Sequence, residues 1–421
     1  MTLVGIDDTD SRERGMCTTY AASRLADEIR GAGGRVERVL LVRLNPAVEH
    51  KTRGNAALAV HTDLDPNQAR RLAVDVLDLA ETDDPQTNPG AVVADCKPAA
   101  VPEAVAQFAR DTVRTIQDPT TAMTLADTMG YARIERGNGR GLVGALAAVG
   151  AWAAFDDWTY EHIAYRERER WGTERAVDTE SVFQAADEAY PAVWDTVDHA
   201  SGYPVCVPRT PCPVLYGIRG DDPEACRQVA ATIESEPVAE ARTFVTNQGT
   251  DVHLQDAAVA DVVDDRAYRV TGEVVTVPET REGGHVFVEI ADGGERLHCA
   301  AFEPTKGFRD RVRALRVGDR ITACGEVSDG TLKLEKVAVR GLVTTELVTP
   351  TCPECGRSMS SAGRDQGYRC RDCSTRADGR VERPLERDVE RGWYEVPPVA
   401  RRHIAKPLVR GGFDGATHPE R

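Results

Sequence analysis

The sequence predicts an α+β protein of several domains: α/β units in the N-terminal half, a small OB-fold β-barrel after them, and a C-terminal ribbon built on four cysteines. Three observations carry this. At 421 residues the chain is too long for one ordinary core, because domains of roughly 100 to 200 residues are the usual size. Apolar runs and amphipathic stretches between Leu3 and Asp95 alternate in the order βαββαβ, and between Tyr268 and Val343 the texture changes to short β-rich runs broken by Gly, Asp and Pro. Cys352-x2-Cys355 and Cys370-x2-Cys373 then follow near the C-terminus, with 14 residues between the pairs.

Leu3 to Ile6 reads as a buried strand and Thr18 to Arg30 as a helix stopped by Gly31. Arg35 to Leu44 and Ala56 to Thr62 are expected strands, Asn67 to Leu79 an amphipathic helix, and Ala91 to Asp95 a further strand, which completes the ferredoxin-like order. Pro102 to Ile116 is another expected helix, and Gly137-Asn138-Gly139-Arg140-Gly141 leads into an apolar helix from Leu142. A second α+β unit follows, with strands at Pro213 to Arg219 and Arg242 to Thr246 around a helix that Asp222 caps and Pro223 opens. Five barrel strands are expected at Val270 to Val277, Val286 to Ile290, Leu297 to Phe302, Arg320 to Val327 and Leu332 to Val339, with a helix over Asp310 to Arg316 between the third and fourth. That arrangement matches an OB-fold, which often binds single-stranded nucleic acid.

No stretch approaches the roughly 20 apolar residues that cross a bilayer, so no membrane association is expected. Seven of the eleven cysteines are scattered singly, which points to a reducing cytoplasm and not to a disulfide scaffold. The net charge of −16 is at first sight unfavourable for a polyanionic partner. However, only six of the 52 basic residues are Lys, beside 68 acids, and this bias suits an acidic, well-hydrated surface of the kind high-salt life imposes. The charge is also uneven: residues 266–345 hold 13 basic and 12 acidic groups, residues 346–421 hold 14 and 12, and the first 265 residues therefore carry −19. RNA bound through its phosphates is expected mainly towards the C-terminal half.

Cys352, Cys355, Cys370 and Cys373 can converge on one tetrahedral zinc ion, and four protein ligands leave no open position for catalysis, so the zinc is structural. A redox Cys-x-x-Cys pair is the alternative, but it needs only two cysteines. Near the N-terminus, Asp7, Asp8 and Asp10 stand directly after a buried strand, where clustered carboxylates are costly unless cations neutralise them. A Mg2+ site is one reading and a solvated acidic turn the other. Thr18 and Thr19 follow at a helix start whose N–H groups attract phosphate, and the company of carboxylates and hydroxyls suggests phosphoryl transfer. Lys51 and Arg53, before the strand at Ala56, could clamp phosphate oxygens. Gly137, Gly139, Arg140 and Gly141 could let the backbone approach a phosphate, although the run is no Walker A motif.

Taken together, Gly-Ile-Asp-Asp-Thr-Asp at 5–10, Gly-Met-Cys-Thr-Thr at 15–19, Arg-Leu-Asn-Pro at 43–46, Lys-Thr-Arg-Gly-Asn at 51–55 and Thr-Asn-Pro-Gly-Ala at 87–91 resemble the archaeal tRNA 2-agmatinylcytidine synthetase family. So do residues 139–150, 210–220, 300–306 and 394–398, so the resemblance spans nearly the whole chain in order. It implies an ATP-binding kinase-like catalytic domain over 1–135, a ferredoxin-like agmatine-binding domain over 136–262, an RNA-binding OB-fold over 266–345, and a zinc ribbon with a C-terminal tail over 346–421. It further implies an ATP-dependent ligase that joins agmatine to the wobble cytidine of the isoleucine tRNA with a CAU anticodon, so that AUA is read. On that reading Asp7, Asp8 and Asp10 hold Mg2+ and ATP phosphates, Thr18 becomes autophosphorylated, Lys51 and Arg53 stabilise charge, and Gly137, Gly139, Arg140 and Gly141 lie against the nucleotide. Agmatine is a dication, so its pocket needs carboxylates; Asp156, Asp157 and Glu161 are candidates, with Tyr216 walling the pocket, and surface acids or a core strand are the plainer alternatives. Lys306 would touch RNA. Two rival functions remain open at this point, an RNA kinase or ligase without agmatine and a non-catalytic RNA-binding protein.

Overall fold

The computed structural model describes every residue except Arg12, Arg14, His50, Thr52 and Arg53. β1 (Thr2–Asp7), α1 (Thr18–Gly31), β2 (Val36–Arg43), β3 (Ala56–Thr62), α2 (Pro66–Leu77) and β4 (Gly90–Asp95) follow the predicted order. Their strands lie β4-β1-β3-β2 with every neighbouring pair antiparallel, which is the ferredoxin-like topology. α1 and α2 bury Leu25, Ile29, Ala73 and Leu77 on one face of this sheet.

The other face is covered by α3 (Glu103–Arg114), α4 (Pro119–Thr128) and α5 (Gly141–Ala154), while β5 (Ala132–Glu135) extends the sheet beside β4. α5 falls in the stretch expected for the second domain, yet its packing partners are β1, β3, β4 and α3 of the first. Glycine permits this contact. A β-carbon on Gly5 would lie 2.0 Å from the Ala145 carbonyl oxygen, and one on Gly150 would lie 2.4 Å from that of Val105.

β6 (Thr159–Arg166), α6 (Thr179–Ala189), β7 (Val193–Trp194), β8 (Val214–Gly220), α7 (Pro223–Thr232) and β9 (Val238–Thr246) repeat the same topology, with strand order β9-β6-β8-β7. β2 and β9 pair in parallel through Leu40↔Val245 and Leu41↔Thr246, which fuses both units into one nine-stranded sheet. Only the later half of this second unit is visible in the apolar pattern. β6 escapes it because Glu161 and Arg166 are buried in that strand, where a binary pattern demands apolar residues, and α6 because it buries just Val182, Ala185 and Ala186.

β10 (Leu254–Ala257) leads into a closed barrel of β11 (Arg266–Val274), β13 (Val286–Asp292), β14 (Glu295–Ala301), β15 (Arg320–Ser328) and β16 (Thr331–Gly341), with a short β12 (Glu279–Thr280) on the edge of β13. The ring closes as β11-β13-β14-β16-β15-β11, and α8 (Phe308–Arg313) sits between the third and fourth barrel strands as predicted. Beyond the ribbon, strand Gly392–Glu395 adds to β16, and the tail crosses back over the second unit. There Arg401 pairs with Asp195 and Glu395, Arg410 with Asp157 and Asp221, and Arg421 with Asp187, tying barrel and sheet together. Among the described residues no helix is long and apolar enough to cross a membrane.

Candidate active site

The end of β1 and the start of α5 meet at a cavity of about 240 Å³. It is lined by the carboxylates Asp7, Asp8 and Asp10, by Lys51, Asn55 and Arg140, and by apolar residues that include Leu44, Val48 and Val143. Burial, and next the charge of Asp8, push the Asp7 carboxyl well above the usual carboxylate range. Burial also raises Asp8, against the opposing pull of Arg140, whose Nε and Nη2 both donate to Asp8 Oδ2 at 3.1 and 3.0 Å. Asp8 reaches that position with a left-handed backbone, φ 59°. Lys51 Nζ donates to the Pro46 carbonyl. Arg53 lies outside the described residues.

A second cavity, of about 260 Å³, shares Asp10, Gly54 and Ala56 with the first and is lined by Thr18, Arg43 and Glu161. Thr18 is the first residue of α1, 5% exposed, and its hydroxyl accepts a hydrogen bond from Thr9 Oγ1 at 3.1 Å. Gly15 and Met16, with φ 97° and 60°, turn the chain so that α1 starts facing the acidic strand end. The amides of that first turn, which follows Cys17 at the N-cap, are suited to an anionic group.

Of the acids considered for agmatine, the structure brings only Glu161 to this cavity. It is 3% exposed and lies between Arg43 (3.4 Å) and Arg219 (3.2 Å), so its charge is already partly met. Asp156 is exposed and Asp157 pairs with Arg410 at 3.1 Å, away from either cavity. Tyr216 is turned into the core, where its hydroxyl donates to the Ala230 carbonyl; Cys212, Val214 and Gly217 form the wall instead. Lys306 is exposed on the barrel, 3.9 Å from Glu303, remote from both cavities.

In the glycine-rich run only Arg140 lines the first cavity. Gly137 and Gly139 have φ 64° and 77° and press against Asn88 and Met123, where a β-carbon would lie 2.2 Å from each, and Gly141 packs on Gly90. Asn88 anchors the run: its Oδ1 accepts from Asn138 N–H at 3.0 Å and its carbonyl from Gly141 N–H at 3.1 Å. The glycines thus aim Arg140 at Asp8. Neither spacing nor composition marks Arg43 or Asn88, although both stand in the motifs Arg-Leu-Asn-Pro and Thr-Asn-Pro-Gly-Ala that carry the resemblance.

Cys352, Cys355, Cys370 and Cys373 present sulfurs that all lie within 4.8 Å of one another, the one such cluster of metal-binding type among the described residues. Cys355 Sγ and Cys370 Sγ are 3.6 Å apart, close to the edge of about 3.8 Å for a tetrahedron of 2.3 Å Zn–S bonds. The two knuckles match: Cys352 and Cys370 each donate N–H to the carbonyl five residues on, and the residue after each second cysteine, Gly356 or Ser374, has φ 71° or 60°. Asp7, Asp8 and Asp10 do not converge in this way. One or two carboxylates completed by phosphate oxygens are nevertheless how Mg2+ is usually held, and a buried Asp7 strained by its neighbour's charge fits that use.

Comparison with known proteins finds matches along the whole chain. Residues 3–71 match the TiaS TCKD domain, 139–253 the TiaS FLD domain, 268–335 the OB-fold nucleic acid binding domain and 349–389 the TiaS C-terminal zinc ribbon domain. A protein of Haloquadratum walsbyi named TiaS, the 2-agmatinylcytidine synthetase of the second isoleucine tRNA, is 53% identical, with 100% of each chain covered. One of the same name from Methanosarcina acetivorans is 45% identical over 97% of each. The crystal structure of TiaS in complex with that tRNA and ATP superimposes with a TM-score of 0.90 at 42% identity, covering 100% of this chain and 99% of that one. The complex of TiaS with the tRNA, AMPCPP and agmatine does so with a TM-score of 0.87 at 40% identity and the same coverage.

Proposed function

The chain belongs to the tRNA 2-agmatinylcytidine synthetase family, and on that premise we propose how its cavities divide the reaction. The enzyme conjugates agmatine to the wobble cytidine of the second isoleucine tRNA, the one with the CAU anticodon, forming 2-agmatinylcytidine, and it does so with ATP. Its place of work is the cytoplasm, where tRNA and ATP are found together. Neither rival function, an RNA kinase or ligase without agmatine or a non-catalytic RNA binder, accounts for relatives crystallised with agmatine.

The ATP phosphates occupy the first cavity, with Lys51 and Arg140 offering cationic donors to the charge that spreads over a loose phosphoryl transition state. Asp7, Asp8 and Asp10 would hold Mg2+ there, which supplies charge neutralisation to the phosphates. Thr18, which lines the second cavity together with the shared Asp10, accepts the γ-phosphoryl group of ATP through its hydroxyl oxygen. The γ-phosphoryl group passes from Thr18 to the C2 oxygen of cytidine, which is thereby activated as a phosphate ester while Thr18 regains its hydroxyl. Hydrolysis of the remaining phosphoanhydride leaves AMP and releases the β-phosphate as inorganic phosphate. The primary amine of agmatine, held in the second cavity with Glu161 facing its cationic end, then attacks C2. A C–N bond forms, the C–O bond breaks, and phosphate departs with the former C2 oxygen while the nitrogen loses its proton.

The observation that carries this reading is the sharing of Asp10, Gly54 and Ala56 between the two cavities, which sets a buried hydroxyl within a helix start beside a carboxylate cluster. Incubation with γ-labelled ATP tests it: wild type acquires acid-stable label and Thr18→Ala does not. Equal labelling of both proteins overturns the role of Thr18. The OB barrel and ribbon, the least acidic part of the chain, grip the tRNA, with Lys306 among the contacts.

A further inference from the structure

Gly54 lines not two cavities but three. The third, of about 400 Å³, opens where the first unit meets the barrel and the C-terminal tail. It shares Lys51 with the first cavity, and Arg43 and His403 with the second. Three chambers meeting at one glycine suit a reaction with three partners, and two of those partners already have chambers under the reading above, on which this inference rests.

The walls of the third chamber are cationic. Arg43, Lys51, Arg402 and Lys333 face it, and Glu326 is the one carboxylate among the described lining residues. Glu326 on β15 is 6% exposed; its two oxygens meet Arg402 at 2.8 Å and Lys333, its cross-strand partner on β16, at 3.9 Å. Both cations are more open than the acid, with side-chain exposures of 46% for Arg402 and 24% for Lys333. One buried carboxylate thus holds two half-open cations at the mouth of a chamber that ends at the reacting groups. Lys333 is one of only six lysines in a chain that uses 46 arginines. The neighbouring Arg401 is anchored by its buried pairing with Glu395 at 2.6 Å, which holds the chain at Arg402 beside the chamber.

We propose that this third chamber admits the tRNA nucleotide to be modified, and that Arg402 and Lys333 take its backbone phosphate in exchange for Glu326. A phosphate brings more acceptor oxygens and more charge than the single carboxylate it replaces, and Arg can grip it in bidentate fashion. Glu326 is the counter-ion that keeps both side chains poised, at the expense of competing with RNA.

Equilibrium binding of the isoleucine tRNA transcript to full-length variants, over a series of salt concentrations, tests this. Arg402→Ala is expected to weaken binding roughly tenfold, the value of a charge-assisted contact, and to reduce the slope of log K against log salt by about 1. Arg402→Lys recovers most of that slope. Glu326→Gln acts in the opposite direction and tightens binding several-fold. If Glu326 and Arg402 merely formed a structural pair, both substitutions would weaken binding together, and that parallel loss would overturn the proposal. So would a raised KM for agmatine in Arg402→Ala with unchanged transcript affinity. Failure of the broader reading looks different: wild type would yield no agmatinylated cytidine although it bound the transcript.

Discussion

The carboxylate of Asp7 lies directly against Gly144: a β-carbon on that glycine would sit 1.9 Å from Asp7 Oδ2. Strand end and helix therefore share one contact that fixes both the fold and the acid. Gly144→Ala is expected to cost about 1–3 kcal/mol of stability by overpacking and to displace Asp7 from the first cavity. Thermal unfolding and ATP cleavage measured on the same variant check this, with ATP cleavage falling much further than the melting temperature alone would explain.

Lys51 meets the first cavity from the loop before β3. If it stabilises developing phosphate charge, Lys51→Ala should lower the rate of ATP cleavage by roughly 10²–10³-fold, while far-ultraviolet circular dichroism stays that of the wild type. A loss below tenfold would return Lys51 to the role of a loop-holding residue, through its bond to Pro46.

The core of the ribbon contains only Cys352, Met359 and Cys370, with Tyr368 and Ala377 packed beside them, too little apolar surface to fold unaided. Metal binding must supply the rest. Elemental analysis should find one zinc per chain, and Cys355→Ser should lose it. Hydrogen exchange in that variant should accelerate over residues 349–384 and leave the barrel, which has its own core around Val270, Ile290 and Val337, protected.

Glu335 is buried on β16, where its Oε1 meets no hydrogen-bond partner among the described residues, and burial, opposed by Arg402, pushes its carboxyl up to about 7. Between its unfolded value near 4.5 and that figure the folded state binds the extra proton, so stability declines as pH rises through this window and levels off above it. Glu335→Gln should make that decline shallower, leaving the share of Glu395, which burial likewise pushes up to about 7, and should stabilise the protein at pH 8 by something on the order of 3 kcal/mol. Melting temperature against pH, compared between the two proteins, reads this directly. A wild-type profile that is flat between pH 5 and pH 8 would contradict it.

Much of this architecture can be read from the residues because most elements obey simple patterns. The βαββαβ order of the first unit, the five barrel strands with their helix, and the paired cysteines all follow from apolar spacing and ligand spacing. Where buried charge replaces apolar residues, the pattern fails. β6 carries Glu161 and Arg166 inward because each has a partner across the sheet, Arg43 and Arg219 for the first and Glu236 at 2.6 Å for the second. No periodicity can announce a partner 70 residues away. The same holds for the site. Asp7, Asp8, Asp10, Thr18 and Lys51 were legible as a local cluster, and they do gather around adjoining cavities. The glycine-rich run was legible as a place of close approach, but what approaches Gly137, Gly139 and Gly141 is Asn88, Met123 and Gly90. Of Asp156, Asp157 and Glu161, which follow α5 in sequence, Glu161 alone lines the second cavity, because β6 lies between β8 and β9.

On the proposed division of the reaction, the N-terminal carboxylates and Thr18 drive attachment of agmatine to the wobble cytidine. The most direct test is nucleoside mass analysis of the isoleucine tRNA transcript after incubation with the full chain, ATP and agmatine in high salt. The wild-type protein should yield 2-agmatinylcytidine, and Asp8→Ala and Thr18→Ala should yield only cytidine. Unmodified cytidine with wild type, or a stable phosphate on the RNA in place of agmatine, would contradict the account.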